Sequence, residues 1–311
     1  MPAGKRPQDS PSSVGAPFPG KGWHPTAAAQ GLESFAKLVR VEDARIELAR
    51  ACLMIAQDAY PGLDVERYLG EIERMAMRLR AATPQSASAE ERVVALNQFL
   101  YEDMGFWGNT EDYYDPRNSY LNEVIDRKTG IPITLGVLYM ELGRRVGLPL
   151  EGVSFPGHFL VRLQLRGGTL VLDPFAGGAP QSEDDLRKRI KRVIPDGVAD
   201  NLPASELPLD QFLEPATNRQ ILSRVLRNLK GIYREADKPQ QMLDVLNRML
   251  VITPGASAEL RDRGLVYHRL ECYRAALKDL SDYSEREPDA PDQDEVRAKV
   301  LELSALCARL N

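Results

Sequence analysis

The groups in this sequence best suited to proton transfer, nucleophilic attack or metal ligation are few: three histidines, His24, His158 and His268, and three cysteines, Cys52, Cys272 and Cys307. The cysteines are odd in number and widely spaced, which fits neither a disulfide framework nor a cysteine-based zinc site. His24 lies in a low-complexity stretch, and His268 sits in a helical pattern beside Tyr267, where packing accounts for it. His158 differs. It follows Gly157 and opens an alternating segment, with Phe159, Val161, Leu163 and Leu165 on one face and His158, Leu160, Arg162 and Gln164 on the other. Arg166-Gly-Gly168 is a turn signal, and residues 169–173 read as a second strand. If Leu165 faces Gly168, then Leu160 faces Asp173 and His158 faces Phe175. His158 and Asp173 are then diagonal neighbours on one face, ~7–8 Å apart at Cα. A carboxylate there would fix the imidazole tautomer and stabilise its protonated form. A one-residue slip would put the two on opposite faces, leaving only a histidine and an Asp-Pro turn near a strand end.

The elements that must hold this pair can be read from periodicity. Residues 32–104 read as helices, with apolar residues at helical spacing over 41–59 and 65–79. Ser88-Ala-Glu-Glu91 fits a capping box, and the helix after it would bury Val93, Leu96, Phe99 and Leu100. Residues 105–122 form a stretch rich in aromatics, Asn and Asp, the composition of a packed loop or of a functional one. Gly130-Ile-Pro-Ile-Thr-Leu opens a helix that is small or apolar nearly all round; Pro132 suits its first turn and Gly147 its end. This is a buried central helix. A short strand at 152–155 and the hairpin follow, then a helix opened by Ser182 and a Pro-rich connector over 195–215. The order predicts an α+β domain.

The last third repeats itself. Tyr233 and Tyr267, and Pro254 and Pro288, are each 34 residues apart, and Leu226-Arg-Asn-Leu matches Leu260-Arg-Asp-Arg. A helix–turn–helix of that period ending in proline is the tetratricopeptide signature. Two repeats are fewer than the ~3 that stand alone. They should lean on a helix at 217–230, on a C-terminal helix over 295–310 and on the first domain. The divisions expected are a disordered tail over 1–30, with six prolines and four glycines, a first domain over 31–195, a linker over 196–215 and a repeat region over 216–311. Phe18 and Trp23 give the tail a second reading, as a short docking peptide.

The 311 residues carry a formal charge of −5, with 43% apolar and 27% charged residues. That excludes a chain built mainly to neutralise nucleic acid or to coat an anionic membrane, but neither a local basic patch nor an acidic partner. No apolar run reaches the ~18–20 residues of a membrane span, and no secretory signal core is present. A cytoplasmic location is expected. No phosphate loop, nucleotide fingerprint or metal-ligand cluster appears, so neither cofactor nor metal is expected.

A core helix, then a strand, then a histidine, then an Asp-Pro closing the next strand resembles the transglutaminase-like, papain-type core. More closely, Asn118-Ser-Tyr-Leu-Asn-Glu-Val, Gly130-Ile-Pro-Ile-Thr-Leu, Phe155-Pro-Gly-His-Phe-Leu-Val-Arg162 and Leu172-Asp-Pro-Phe175, followed by tetratricopeptide repeats, resemble the bacterial SirB-type family. The resemblance implies that His158 and Asp173 match the triad histidine and acid. Where the triad cysteine would stand, at the helix N-terminus, the sequence reads Pro132-Ile133-Thr134. A cysteine there would be activated by the helix dipole and the imidazolium. Thr134 alone offers a hydroxyl.

Three readings follow. In the first, a catalytically degenerate core binds a protein or peptide, with Asn118 and Arg162 as polar contacts beside the His/Asp pair, with Trp107, Tyr113 and Tyr114 at the rim, and with the repeats holding the partner. In the second, His158 serves as general base to Thr134 or to water, making an amide or ester hydrolase or an acyltransferase. In the third, the His/Asp pair is a relic and only the repeats act.

Overall fold

The computed structural model describes residues 25–193 and 209–309. Residues 1–24, with Phe18, Trp23 and His24, and most of the expected linker lie outside the described residues. The first helix, α1 (Pro25–Val39), starts inside the stretch expected to be tail. It is followed by α2 (Leu48–Ala56), α3 (Val65–Ala82) and α4 (Ala89–Asn97). Asp64 caps α3 by accepting the Arg67 N–H, and Ser88 with Glu91 forms the predicted capping box of α4. A π-helical turn, Gln98–Asp103, continues α4 and buries Phe99 and Leu100.

The 105–122 stretch contains β1 (Trp107–Gly108), which pairs in parallel with β2 (Thr129–Gly130). A 3-10 turn, Pro116–Ser119, and α5 (Leu121–Arg127) lie between them. Two-residue strands have no period to read, so the sequence pattern missed them. The central helix, α6 (Pro132–Arg145), is buried continuously from Pro132 to Gly143. Gly147 ends it at φ +81°, a conformation that glycine adopts without strain.

The sheet is antiparallel, in the order β3 (Glu151–Val153), β4 (Leu160–Leu165), β5 (Gly168–Asp173) and β6 (Ala179–Pro180). Leu165 faces Gly168 and Val161 faces Leu172, the register predicted from the hairpin. His158 does not open the strand as expected. It sits in the preceding turn, after Gly157 at φ +65°, and its N–H bonds the Phe155 carbonyl at 3.1 Å. One face of the sheet packs Val161, Leu163 and Leu172 into the α6 core. On the other, Val153, Phe155, Leu160 and Val171 cluster with Leu186 and Ile190 of α7 (Glu183–Val193) and with Leu209 of α8 (Leu209–Phe212).

The repeats are α9 (Asn218–Glu235) with α10 (Pro239–Ile252), and α11 (Ser257–Arg269) with α12 (Tyr273–Arg286); α13 (Gln293–Arg309) follows. The ends of α9 and α11 are 34 residues apart, as are the ends of α10 and α12. The helix expected at 217–230 as a separate support is α9 itself, the first helix of the first repeat. The support expected from the first domain comes from its core: Leu222, Val225 and Leu226 of α9 and Leu246 of α10 belong to the same buried cluster as Leu135, Leu138 and Leu142 of α6.

Asp43 accepts the N–H groups of Asn218 and Arg219 at the start of α9, at 2.8 and 3.0 Å. It caps α9 from a 3-10 turn, Asp43–Arg45, which is why the helix expected over 41–59 shortens to α2. Arg248 of α10, 2% exposed, lies over the Phe35 ring and donates to both Asp58 oxygens, at 2.5 and 2.7 Å. The Tyr120 and Tyr233 hydroxyls bond to each other across the same junction.

Beside this pair, burial and the charge of Asp58 push Asp244 up to about 7, against the opposing pull of Arg248 and Gln240. A carboxyl raised in the fold keeps its proton where the unfolded chain has lost it. The contribution of Asp244 to stability therefore falls as pH rises from 3.8 to about 7 and is level above that. Asp244→Asn removes the ionisation. It raises Tm over wild type by a few degrees at pH 8 and leaves it unchanged at pH 4, as read by calorimetry; an equal shift at both pH values contradicts this origin.

Candidate functional site

The carboxylate of Asp173 is buried at 0% exposure and is the focus of the sheet's end. Its Oδ1 takes the His158 Nε2 at 2.9 Å and the Phe175 N–H at 3.0 Å, and its Oδ2 takes Arg189 Nη2 of α7 at 2.7 Å. Burial pushes the carboxyl up. The His158 hydrogen bond and charge, the Arg189 charge and the Phe175 N–H outweigh it and hold Asp173 below the usual carboxylate range. Against an anionic Asp173, Nε2–H is the donor of this bond. The His158 ring lies edge-to-face on Phe175, with centroids 6.0 Å apart. Phe175 in turn sits directly on Gly108, where a Cβ would come within 2.5 Å of its ring.

Thr134 is not hydrogen-bonded to this imidazole. It is 1% exposed, and its hydroxyl donates to the Asn118 carbonyl at 2.7 Å while accepting the Ile131 N–H at 3.2 Å. It closes the first turn of α6, in the way a capping side chain does. The hydroxyl expected as a nucleophile is thus engaged with two backbone groups in this structure. Pro132 and Ile133 are buried apolar groups. Cys52 is buried in α2, where burial and the charge of Glu141 push its thiol up, while Cys272 and Cys307 line a shared cavity at the far repeat. Among the described residues, Asp173 is the only side chain hydrogen-bonded to the His158 ring.

Two of the expected binding residues are committed elsewhere, and a third stands apart. Arg162 binds Glu151 at 2.8 Å and the Leu213 carbonyl at 3.0 Å, stapling β3 and the segment after α8 across the sheet face. Asn118, 0% exposed, is a loop clamp: it accepts from Asn109 at 3.1 Å and donates to the carbonyls of Asp112 and Tyr113. Trp107 is exposed and does not line the cavity beside its neighbours.

Tyr113 and Tyr114 are presented by that clamp. Their rings meet edge-to-face at 5.3 Å, and Tyr113 meets Phe175 at 6.2 Å, so an aromatic line runs from the loop to His158. On their other side the two tyrosines face α9. Between them lies a cavity of about 720 Å³, walled by Tyr113, Tyr114 and Ile131 and by Arg227, Gly231, Ile232 and Arg234 of α9. That volume is within the ~300–1,000 Å³ of ligand sites. Arg224, one turn before Arg227, donates to the Phe155 carbonyl at 3.0 Å; burial pushes its guanidinium down. Arg224, Arg227, Gly231 and Arg234 recur at helical spacing, a face the sequence offered and the repeat alignment obscured.

Comparison with known proteins finds two family models along the chain. Residues 66–227 match the family model described as the transglutaminase-like superfamily, and residues 229–300 match a tetratricopeptide-repeat model. A UPF0162 protein of Xylella fastidiosa is 40% identical over 267 residues, 86% of this chain and 93% of its own. Protein SirB1 of Salmonella typhimurium is 29% identical over 231 residues, 74% of this chain and 82% of its own. Among solved structures, menin aligns with 88% of this chain and 69% of its own at 12% identity and a TM-score of 0.40, too loose a likeness to carry an argument.

Thr134→Ser keeps both hydrogen bonds and leaves stability unchanged. Thr134→Val strands the Ile131 N–H and the Asn118 carbonyl, and lowers stability by about 1–3 kcal/mol in urea denaturation. Equal stability for the two variants would contradict the capping role.

Proposed function

Because this chain belongs to the transglutaminase-like superfamily, with relatives described as UPF0162 and SirB1 proteins, we propose that it is a protein-binding regulatory adaptor whose core no longer performs thiol acyl transfer. The observation that carries this reading is a dyad with nothing to activate. His158 keeps its acid, yet among the described residues neither a thiol nor an uncommitted hydroxyl is bonded to the imidazole. Fold alone does not bring activity with it.

Binding is assigned to the repeats, whose helices give a surface of the kind that holds extended segments of other proteins. Leu265 of α11, exposed at 39%, stands 34 residues after Gly231 and so occupies the equivalent place in the second repeat. It is therefore the position at which a charge would disturb that surface of the second repeat.

Quantitative capture from the lysate of the source organism, using the full chain, His158→Ala and Leu265→Glu, tests both parts. The expected result is one partner set retained by His158→Ala and lost by Leu265→Glu. A protein enriched on His158→Ala behaves as a trapped substrate and overturns the adaptor reading in favour of hydrolysis or acyl transfer with water as nucleophile.

A further inference from the structure

The cavity between the aromatic loop and α9 has two properties that packing alone does not require. The first is Gly231. It lies in the interior of α9, where glycine weakens a helix, and a Cβ built there would meet nothing within 4 Å. Any side chain at this position would project into open space, so the glycine keeps the cavity wall recessed. The second is charge. Arg227 is exposed and has no hydrogen-bond or ion-pair partner among the described residues. Arg234 is paired only with its chain neighbour Glu235, at 3.6 Å and on the surface. Arg224 sets a third positive charge next along the same helix face, with its own donor already spent on Phe155.

The remaining wall is mostly apolar or aromatic, Tyr113, Tyr114, Ile131, Ile232 and Ala236, with Asn228 and the carboxylate of Glu235 at its polar side. In a protein of net charge −5, two arginines against one glutamate leave this recess with a net positive charge beside an apolar floor. We infer that it binds an acidic segment of a partner protein, with a carboxylate on Arg227 and Arg234 and the neighbouring aliphatic side chain in the gap over Gly231, against the two tyrosines. Arginine matches a carboxylate with two parallel N–H donors, and an anchor side chain in a recess gives the affinity that an exposed ion pair lacks. This inference rests on the adaptor reading and adds the place and chemistry of the contact.

The test is selection of random twelve-residue peptides displayed on phage against the immobilised full chain, followed by fluorescence polarisation of the enriched sequences. Enriched peptides are expected to carry Asp or Glu next to Leu, Ile or Phe. They bind at least tenfold more weakly when the acid is changed to its amide and when salt is raised. Gly231→Leu fills the recess and weakens binding at least tenfold, with a Tm no lower than wild type, because leucine favours the helix and its Cβ enters open space. Arg227→Glu has the same effect on binding through a surface change that leaves the fold intact. Recovery of no peptide, or of peptides indifferent to both substitutions, overturns the inference. Peptides lost on Leu265→Glu but kept on Gly231→Leu do so as well, while leaving the adaptor reading in place.

Discussion

The structure is organised by a helix that has no side facing water. From Pro132 to Gly143 every residue of α6 is buried, so the chain must supply a neighbour in every direction. The helical layer of α2, α3 and α4, the sheet, and α5 each cover part of it, and α9 completes the enclosure. Close approach is obtained with glycine. At Gly136 a Cβ would meet the Phe159 ring at 2.6 Å, and at Gly143 it would run into Leu150. Each of those contacts fixes a strand against the helix. The hairpin register, and with it the place of Asp173, is inherited from this packing.

The same enclosure explains how two repeats persist. A free solenoid of this length would leave its terminal faces uncovered. Here the exposed side of the first repeat is part of the main core, and the second repeat is closed by α13 through Leu260, Leu280, Tyr283, Val296 and Leu303. The junction also holds polar groups, Asp58, Arg248, Asp244 and the Tyr120–Tyr233 pair, which are costly to bury and therefore specific about how the two parts meet. One result is that α9 has two duties. Its leucines seal α6, and its arginine face forms a wall opposite the aromatic loop.

Asp173 illustrates how a catalytic arrangement can be kept by structure alone. Its carboxylate joins the turn that carries His158, the N–H of Phe175 and the α7 arginine. Removing it would take the acceptor from three donors, whatever chemistry the imidazole performs. A His–Asp pair therefore needs no activity to account for its presence, and the identity of the side chain facing the imidazole decides what the pair can do.

Much of the frame was legible in the sequence because it depends on short-range chemistry. The capping residues Ser88 and Pro132, the turn at Gly168, the alternation through β4 and the 34-residue repeat each reflect hydrogen bonding or periodicity within one or two elements. That was enough to set His158 beside Asp173. It was not enough to say which polar side chains remain free. Thr134, Asn118 and Arg162 all read as available, and all are taken: by a helix end, by a loop held through Asn109, and by the Leu213 carbonyl 51 residues away. The cavity is likewise made by residues more than 100 positions apart, Tyr113 and Tyr114 on one side and Arg227 and Gly231 on the other. A sequence specifies which groups can bond and with what period. Which of them are already satisfied depends on what the tertiary fold brings against them.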